Sequence, residues 1–146
     1  MRFVRSLCLT LTLVLVPLAV PQLARAASYA LVLGADGWIN EGGIFDVTFS
    51  GRTYVTHSFS VGGRLGAAFI TSPATLGIPI DLVLRGDINR FYIEGVVGPW
   101  IVFKGDAIRA HAGIGFGIHT RQVSVGLEVA YLDPHAMLGV RVAIPL

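Results

Sequence analysis

From residue 27 onward, apolar residues return at every second position, and nearly all the charged residues outside turns fall on the opposite parity. The stretch from Phe59 to Phe69 shows the pattern. Phe59, Val61, Gly63, Leu65, Ala67 and Phe69 share one face, while Ser58, Ser60, Gly62, Arg64, Gly66 and Ala68 share the other. Only a strand places i, i+2 and i+4 on one side; a helix scatters them around its axis. The same reading along the chain gives eight apolar faces. They begin at Tyr29–Leu33 and Phe45–Phe49 and end at Val123–Tyr131 and Leu138–Leu146. Turn chemistry separates them at Asp36–Gly37, Gly51–Arg52, Ser72–Pro73, Gly86–Asp87, Lys104–Asp106, His119–Gln122 and Asp133–Pro134. Gly51–His57 fits either an extension of the second strand or a longer turn. The chain is therefore all-β, and its 18 glycines are a further argument against a helical bundle.

Residues 1–26 have the pattern of a secretory signal peptide. Arg2 and Arg5 supply a basic start, Leu7–Val20 an apolar run, and Ala24-Arg25-Ala26 a small-x-small cleavage pattern. Residues 27–146 then form one domain. Cys8, the single cysteine, lies in the leader, so the remaining chain has no thiol for catalysis, disulfide formation or metal binding. The leader also accounts for the formal charge of +2. Without Arg2, Arg5 and Arg25, eight basic residues face nine acidic ones and the charge becomes −1. A nucleic-acid partner loses its electrostatic support.

Parity places Asp46, Arg64, Asp81, Arg85, Glu94, Arg109, Glu128 and Arg141 on the polar face, with His111 beside them. Four acids stand against four arginines, and glycines fill much of the remaining face. Only 14% of the chain is charged, against roughly 25% in soluble domains. The continuous apolar face is too large for so few charges to solvate. Turning the sheet inside out resolves this: apolar residues face lipid and balanced charges fill a closed barrel. Closure also removes edge strands. Aromatics on the apolar parity gather at strand ends. Tyr29, Phe49, Phe59, Phe91 and Phe116 fall near one rim and Phe45, Phe69, Phe103 and Tyr131 near the other, with Trp38 in the adjoining loop. Two such girdles suit the two membrane–water interfaces.

On these features residues 28–146 resemble the small eight-stranded outer-membrane β-barrels of Gram-negative bacteria, the outer-membrane protein A and X type. The resemblance implies an eight-stranded antiparallel up-and-down transmembrane β-barrel in the cell outer membrane. It also implies contact with outer-membrane lipid and lipopolysaccharide, and passage through the barrel-assembly machinery during biogenesis. Family members commonly end on an aromatic residue; this chain ends Ile144-Pro145-Leu146. Pro99 cannot donate to a ladder, so a bulge or kink is expected at Gly98–Pro99.

Catalytic patterns are sparse. Gly113-Ile114-Gly115-Phe116-Gly117 has no following helix and so lacks the geometry that cradles phosphate; inward glycines there make room for arginine side chains. His57–Ser58, or His111 with Glu128, could belong to a lipid-modifying enzyme. Neighbours on a regular strand point to opposite faces, however, and no serine accompanies His111. His119 and His135 fall in turns at opposite ends. The expected role is structural or interactive, with the lumen plugged by charge, no catalytic activity and no cofactor. The alternatives are an outer-membrane lipid-modifying enzyme and a secreted lipocalin-like barrel with its apolar parity turned inward around a ligand.

Overall fold

The computed structural model describes residues 25–146. The signal-peptide reading falls outside this range, apart from Arg25 and Ala26, with which the first strand opens. Eight strands follow in order: β1 Arg25–Trp38, β2 Gly42–Tyr54, β3 Phe59–Thr71, β4 Ala74–Ile88, β5 Phe91–Val102, β6 Ile108–His119, β7 Ser124–Leu132 and β8 His135–Pro145. Each pairs antiparallel with its neighbours, and β1 pairs with β8, which closes the barrel. The seam continues past β8, where the Leu146 amide donates to the Tyr29 carbonyl at 3.0 Å. Connections 39–41, 72–73, 103–107 and 133–134 mark one end, the upper; 55–58, 89–90 and 120–123 mark the lower.

Several expected turns are strand. Asp36–Gly37 lies in β1, Gly51–Arg52 in β2 and Gly86–Asp87 in β4. Gly and Asp commonly signal turns in water-exposed hairpins. Here Asp36, Arg52 and Asp87 turn into an interior where carboxylates meet arginines, while Gly37, Gly51 and Gly86 lie on the outward parity. The chain reverses instead at Asn40 (φ 68°) and Asn89 (φ 56°), and asparagine is among the few residues that tolerate the left-handed region. The upper connections at 39–41 and 72–73 are therefore short. The open question at Gly51–His57 resolves as strand through Tyr54 and a turn over 55–58.

The bulge expected at Gly98–Pro99 is absent. Pairing between β4 and β5 lapses at Ile80–Asp81 opposite Gly98–Pro99 and resumes in the same register. The β5–β6 ladder runs through Pro99 unbroken. Pro79 has the same effect between β3 and β4. A proline forfeits one donor on one side of its strand, and the opposite ladder holds the register without an inserted residue.

Burial follows the alternation. The apolar parity faces out, with Phe45 57% and Ile114 57% exposed, while Arg64 (4%) and Glu128 (0%) are buried inside. A lipocalin-like arrangement needs the reverse.

Candidate functional site in the barrel lumen

The lumen is filled in three storeys. The upper one is apolar, built from inward residues near strand ends: Trp38, Ile44, Ile70, Trp100, Val102, Leu132 and Met137. Their position follows from continuing each strand's inward parity past its charged residue, as from Arg64 through Ala68 to Ile70. Trp38 is not in a loop. It is the last residue of β1, 3% exposed, and its indole Nε1 donates to the Leu132 carbonyl at 3.0 Å. Arg109 lies over the Trp38 ring at 4.9 Å and donates to the Asp133 carbonyl at 2.9 Å. Arg109 thus sits at the upper mouth, apart from the central ion pairs. Its strand starts at Ile108, too late to carry it to mid-barrel.

The middle storey is ionic. Arg64 donates to Asp81 Oδ2 (3.1 Å) and Glu128 Oε2 (3.1 Å). Arg141 forks between Asp36 (2.8 Å) and Glu128 Oε1 (2.8 Å) and lies 3.5 Å from Asp46. His111 Nδ1 is 2.8 Å from Asp81 Oδ1, and its Nε2 is 3.7 Å from Glu128. Trp100 ties the two storeys together: Nε1 donates to Asp81 Oδ1 at 3.3 Å, and its ring lies 5.0 Å from that of His111. Glu128 bridges both arginines, so β3, β7 and β8 are joined through one carboxylate, and Asp36 on Arg141 adds β1. Asp36 is the member that sequence reading assigns to a turn. Even parity with Gly34 and Trp38 is the signal that places it inside.

The lower storey joins Arg85 to Asp87 (2.8 Å), with Glu94 at 3.9 Å and His119 Nδ1 at 3.4 Å. The Arg85 guanidinium also stacks over the Tyr92 ring at 3.7 Å. Arg52 completes the lining of the small void beside it, about 20 Å³, room for roughly one water. Asp87 and Arg52, like Asp36, lie where turn chemistry was expected. The inward set is therefore six carboxylates (Asp36, Asp46, Asp81, Asp87, Glu94, Glu128) and four arginines (Arg52, Arg64, Arg85, Arg141), with Arg109 above. It is not four against four.

Glycines make these contacts possible, though the 113–117 run does not accommodate arginines. A Cβ at Gly113 would meet Ala130, one at Gly115 would approach Glu94 Cγ to 2.9 Å, and one at Gly117 would meet the β7 backbone and Tyr92. The arginine network takes its space elsewhere. A Cβ at Gly34 would fall on Asp46 and Arg141, and one at Gly139 on Asp36.

The girdle residues Tyr29, Phe45, Phe49, Phe59, Phe69, Phe91, Phe103, Phe116 and Tyr131 all point outward and are 40–64% exposed. Phe45 pairs directly with Phe69 near the upper end, and Tyr29 stacks on Phe49 toward the lower end at 5.7 Å. His57 and Ser58 occupy the exposed β2–β3 turn, where the Ser58 amide donates to the Thr56 hydroxyl at 3.3 Å. They are not on regular strand, so opposed strand faces do not govern them. His119 ends β6 at the lower mouth, and His135 opens β8 at the upper, 3.7 Å from Glu41.

Solved structures with a similar fold include designed transmembrane β-barrels. A de novo designed transmembrane β-barrel superposes with a TM-score of 0.66 at 9% identity, covering 82% of this chain and 95% of that one. The fold is that of a transmembrane β-barrel. A second designed barrel, solved by NMR in solution, gives 0.59 at 10% identity, covering 82% and 94%. The N-terminal β-barrel domain of Pseudomonas aeruginosa OprF gives 0.58 at 9% identity, covering 82% and 97%. No family model matches the chain, and no curated protein matches it by sequence. At such identities the transmembrane β-barrel likeness is one of fold.

Proposed function

We propose that this chain is an integral outer-membrane barrel with a structural or interaction role, a closed lumen and no catalytic activity. The observation that carries the reading is the inversion of burial. Charged side chains are enclosed while a belt of Phe, Ile, Leu and Val is left outside, an arrangement stable in lipid and not in water. The tilted strands, 9 to 15 residues long, suffice for the ~9–11 that a spanning strand needs. In the conventional orientation the lower end faces the periplasm, and the girdles contact lipid on one side and lipopolysaccharide on the other. Such a barrel reaches the membrane through the barrel-assembly machinery.

The closed-lumen reading rests on filling. Eight strands leave an interior just wide enough for side chains. Here the Trp38–Trp100 layer, the Arg64–Glu128–Arg141 network and the Arg85–Tyr92 stack occupy it in succession. Purified protein in planar bilayers is expected to give no resolved single-channel steps. Regular ohmic steps would refute a plugged lumen while leaving the membrane assignment intact.

A further inference from the structure

The connections at the two ends of the barrel carry opposite charge. The upper connections hold Glu41, Asp106 and Asp133 against a single fixed positive charge, Lys104. The lower connections, 55–58, 89–90 and 120–123, hold Arg90 and Arg121 and no carboxylate. Those two arginines come from different turns, and the backbone brings them to one place. The His119 amide donates to the Arg90 carbonyl at 2.8 Å, tying the β4–β5 turn to the end of β6. Thr120 then closes the β6–β7 turn on itself. Its hydroxyl donates to the Val123 carbonyl at 2.9 Å and accepts from the Val123 amide at 3.2 Å, which holds Arg121 at the turn. The result is a cavity of about 430 Å³ lined by Arg90, His119, Thr120 and Arg121.

Both arginines are exposed and neither has an ion-pair partner among the described residues. Asp87, 3.6 Å from His119, is taken by Arg85 at 2.8 Å. Directly along the wall from this cavity, Phe91 and Ile118 pair across β5 and β6, 64% and 50% exposed to the outside. A cationic cavity thus sits at the edge of an apolar wall.

We infer that this cavity binds the phosphate of an anionic phospholipid, with Arg90 and Arg121 as its cationic contacts and Phe91 and Ile118 against the acyl chain. The inference rests on the membrane reading above and adds a ligand to it. A guanidinium suits a phosphate because its planar donors match two oxygens at once. Each basic residue near an anionic lipid surface raises association about fivefold, so the pair is worth about 25-fold.

The test reconstitutes the full chain in phosphatidylcholine vesicles and measures association of spin-labelled phosphatidylglycerol against spin-labelled phosphatidylcholine. Wild-type protein is expected to prefer phosphatidylglycerol by at least tenfold. R90Q/R121Q should lose that preference, R90K/R121K should keep most of it, and K104Q at the opposite end should leave it unchanged. All four should insert and show the same heat-dependent gel shift, since the substituted side chains are exposed. Equal association of the two lipids with inserted wild-type protein overturns the inference alone; failure of the wild type to insert overturns the membrane reading with it. Excess inorganic phosphate is expected to leave the preference in place. Displacement of the lipid by phosphate alone, with the same arginine dependence, would identify a free-anion site and overturn the lipid assignment.

Discussion

Arg141→Met is expected to destabilise the folded barrel by about 3–5 kcal/mol, the cost of stranding buried charge. The arithmetic of the middle storey explains why. Arg64 and Arg141 there face Asp36, Asp46, Asp81 and Glu128, with His111 and the Trp100 indole also on Asp81. Removing Arg141 leaves one guanidinium against four carboxylates and strands Asp36, whose only ion pair it is among the described residues. Methionine nearly preserves volume, so the loss reports charge and not a cavity. Glu128→Gln, which lowers the acid excess and keeps a hydrogen-bonding group, should cost less. Asp36→Asn combined with Arg141→Met should recover part of the loss, because the second change removes a charge the first left unpaired. Urea unfolding in detergent micelles, followed by the fluorescence of the lumenal Trp38 and Trp100, measures all three. A shift below about 1 kcal/mol for Arg141→Met would mean that the network does not hold the interior.

Leu65→Arg, on the outer face, is expected to cost about 2–4 kcal/mol in vesicles, the penalty for a cation at mid-bilayer. Leu65 is 54% exposed and lies midway along β3. In a soluble protein so exposed a leucine would accept arginine almost without effect. Phe59→Arg, at the lower end of the same strand, should cost only about 0–1 kcal/mol, because the penalty falls toward the interface. The depth dependence is the informative part. Equal small effects at both positions would place the belt in water.

The two kinds of side chain that these substitutions exchange were not equally visible in the sequence. The outer face was legible throughout, because lipid imposes one demand on every strand and the alternation from Phe59 to Phe69 meets it without exception. Eight strands, antiparallel order and closure all follow from it. The interior was legible only at mid-strand. Arg64, Asp81, Glu128 and Arg141 declare themselves by charge on the inward parity, and the structure joins Glu128 to Arg141 across the last hairpin. Toward the strand ends the same parity passes through residues that mimic turns. Asp36, Arg52 and Asp87 sit next to glycine and read as hairpin loops, although each is inside the barrel. Trp38 reads as a loop residue, and nothing in the pattern singles out Trp100, although both are core. Arg109 has the right parity and the wrong height, and a one-dimensional pattern carries no height. Pairing register supplies it: Gly34 opposite Arg141 and Asp46 puts three strands at one level, and Trp100 opposite Arg109 marks a level above.

The pocket at the lower rim was invisible for a related reason. Arg90 and Arg121 are 31 residues apart in sequence, and the pairing of Phe91 with Ile118 together with the hydrogen bond from the His119 amide to the Arg90 carbonyl brings their turns side by side.

The central claim is that the apolar face meets lipid. Membranes washed in alkaline carbonate and run on gels with and without boiling test it directly. The protein should remain with the outer-membrane pellet, and the unboiled sample should migrate differently from the boiled one, as a barrel that resists detergent does. Release into the soluble fraction, with a single heat-insensitive band, would contradict the account.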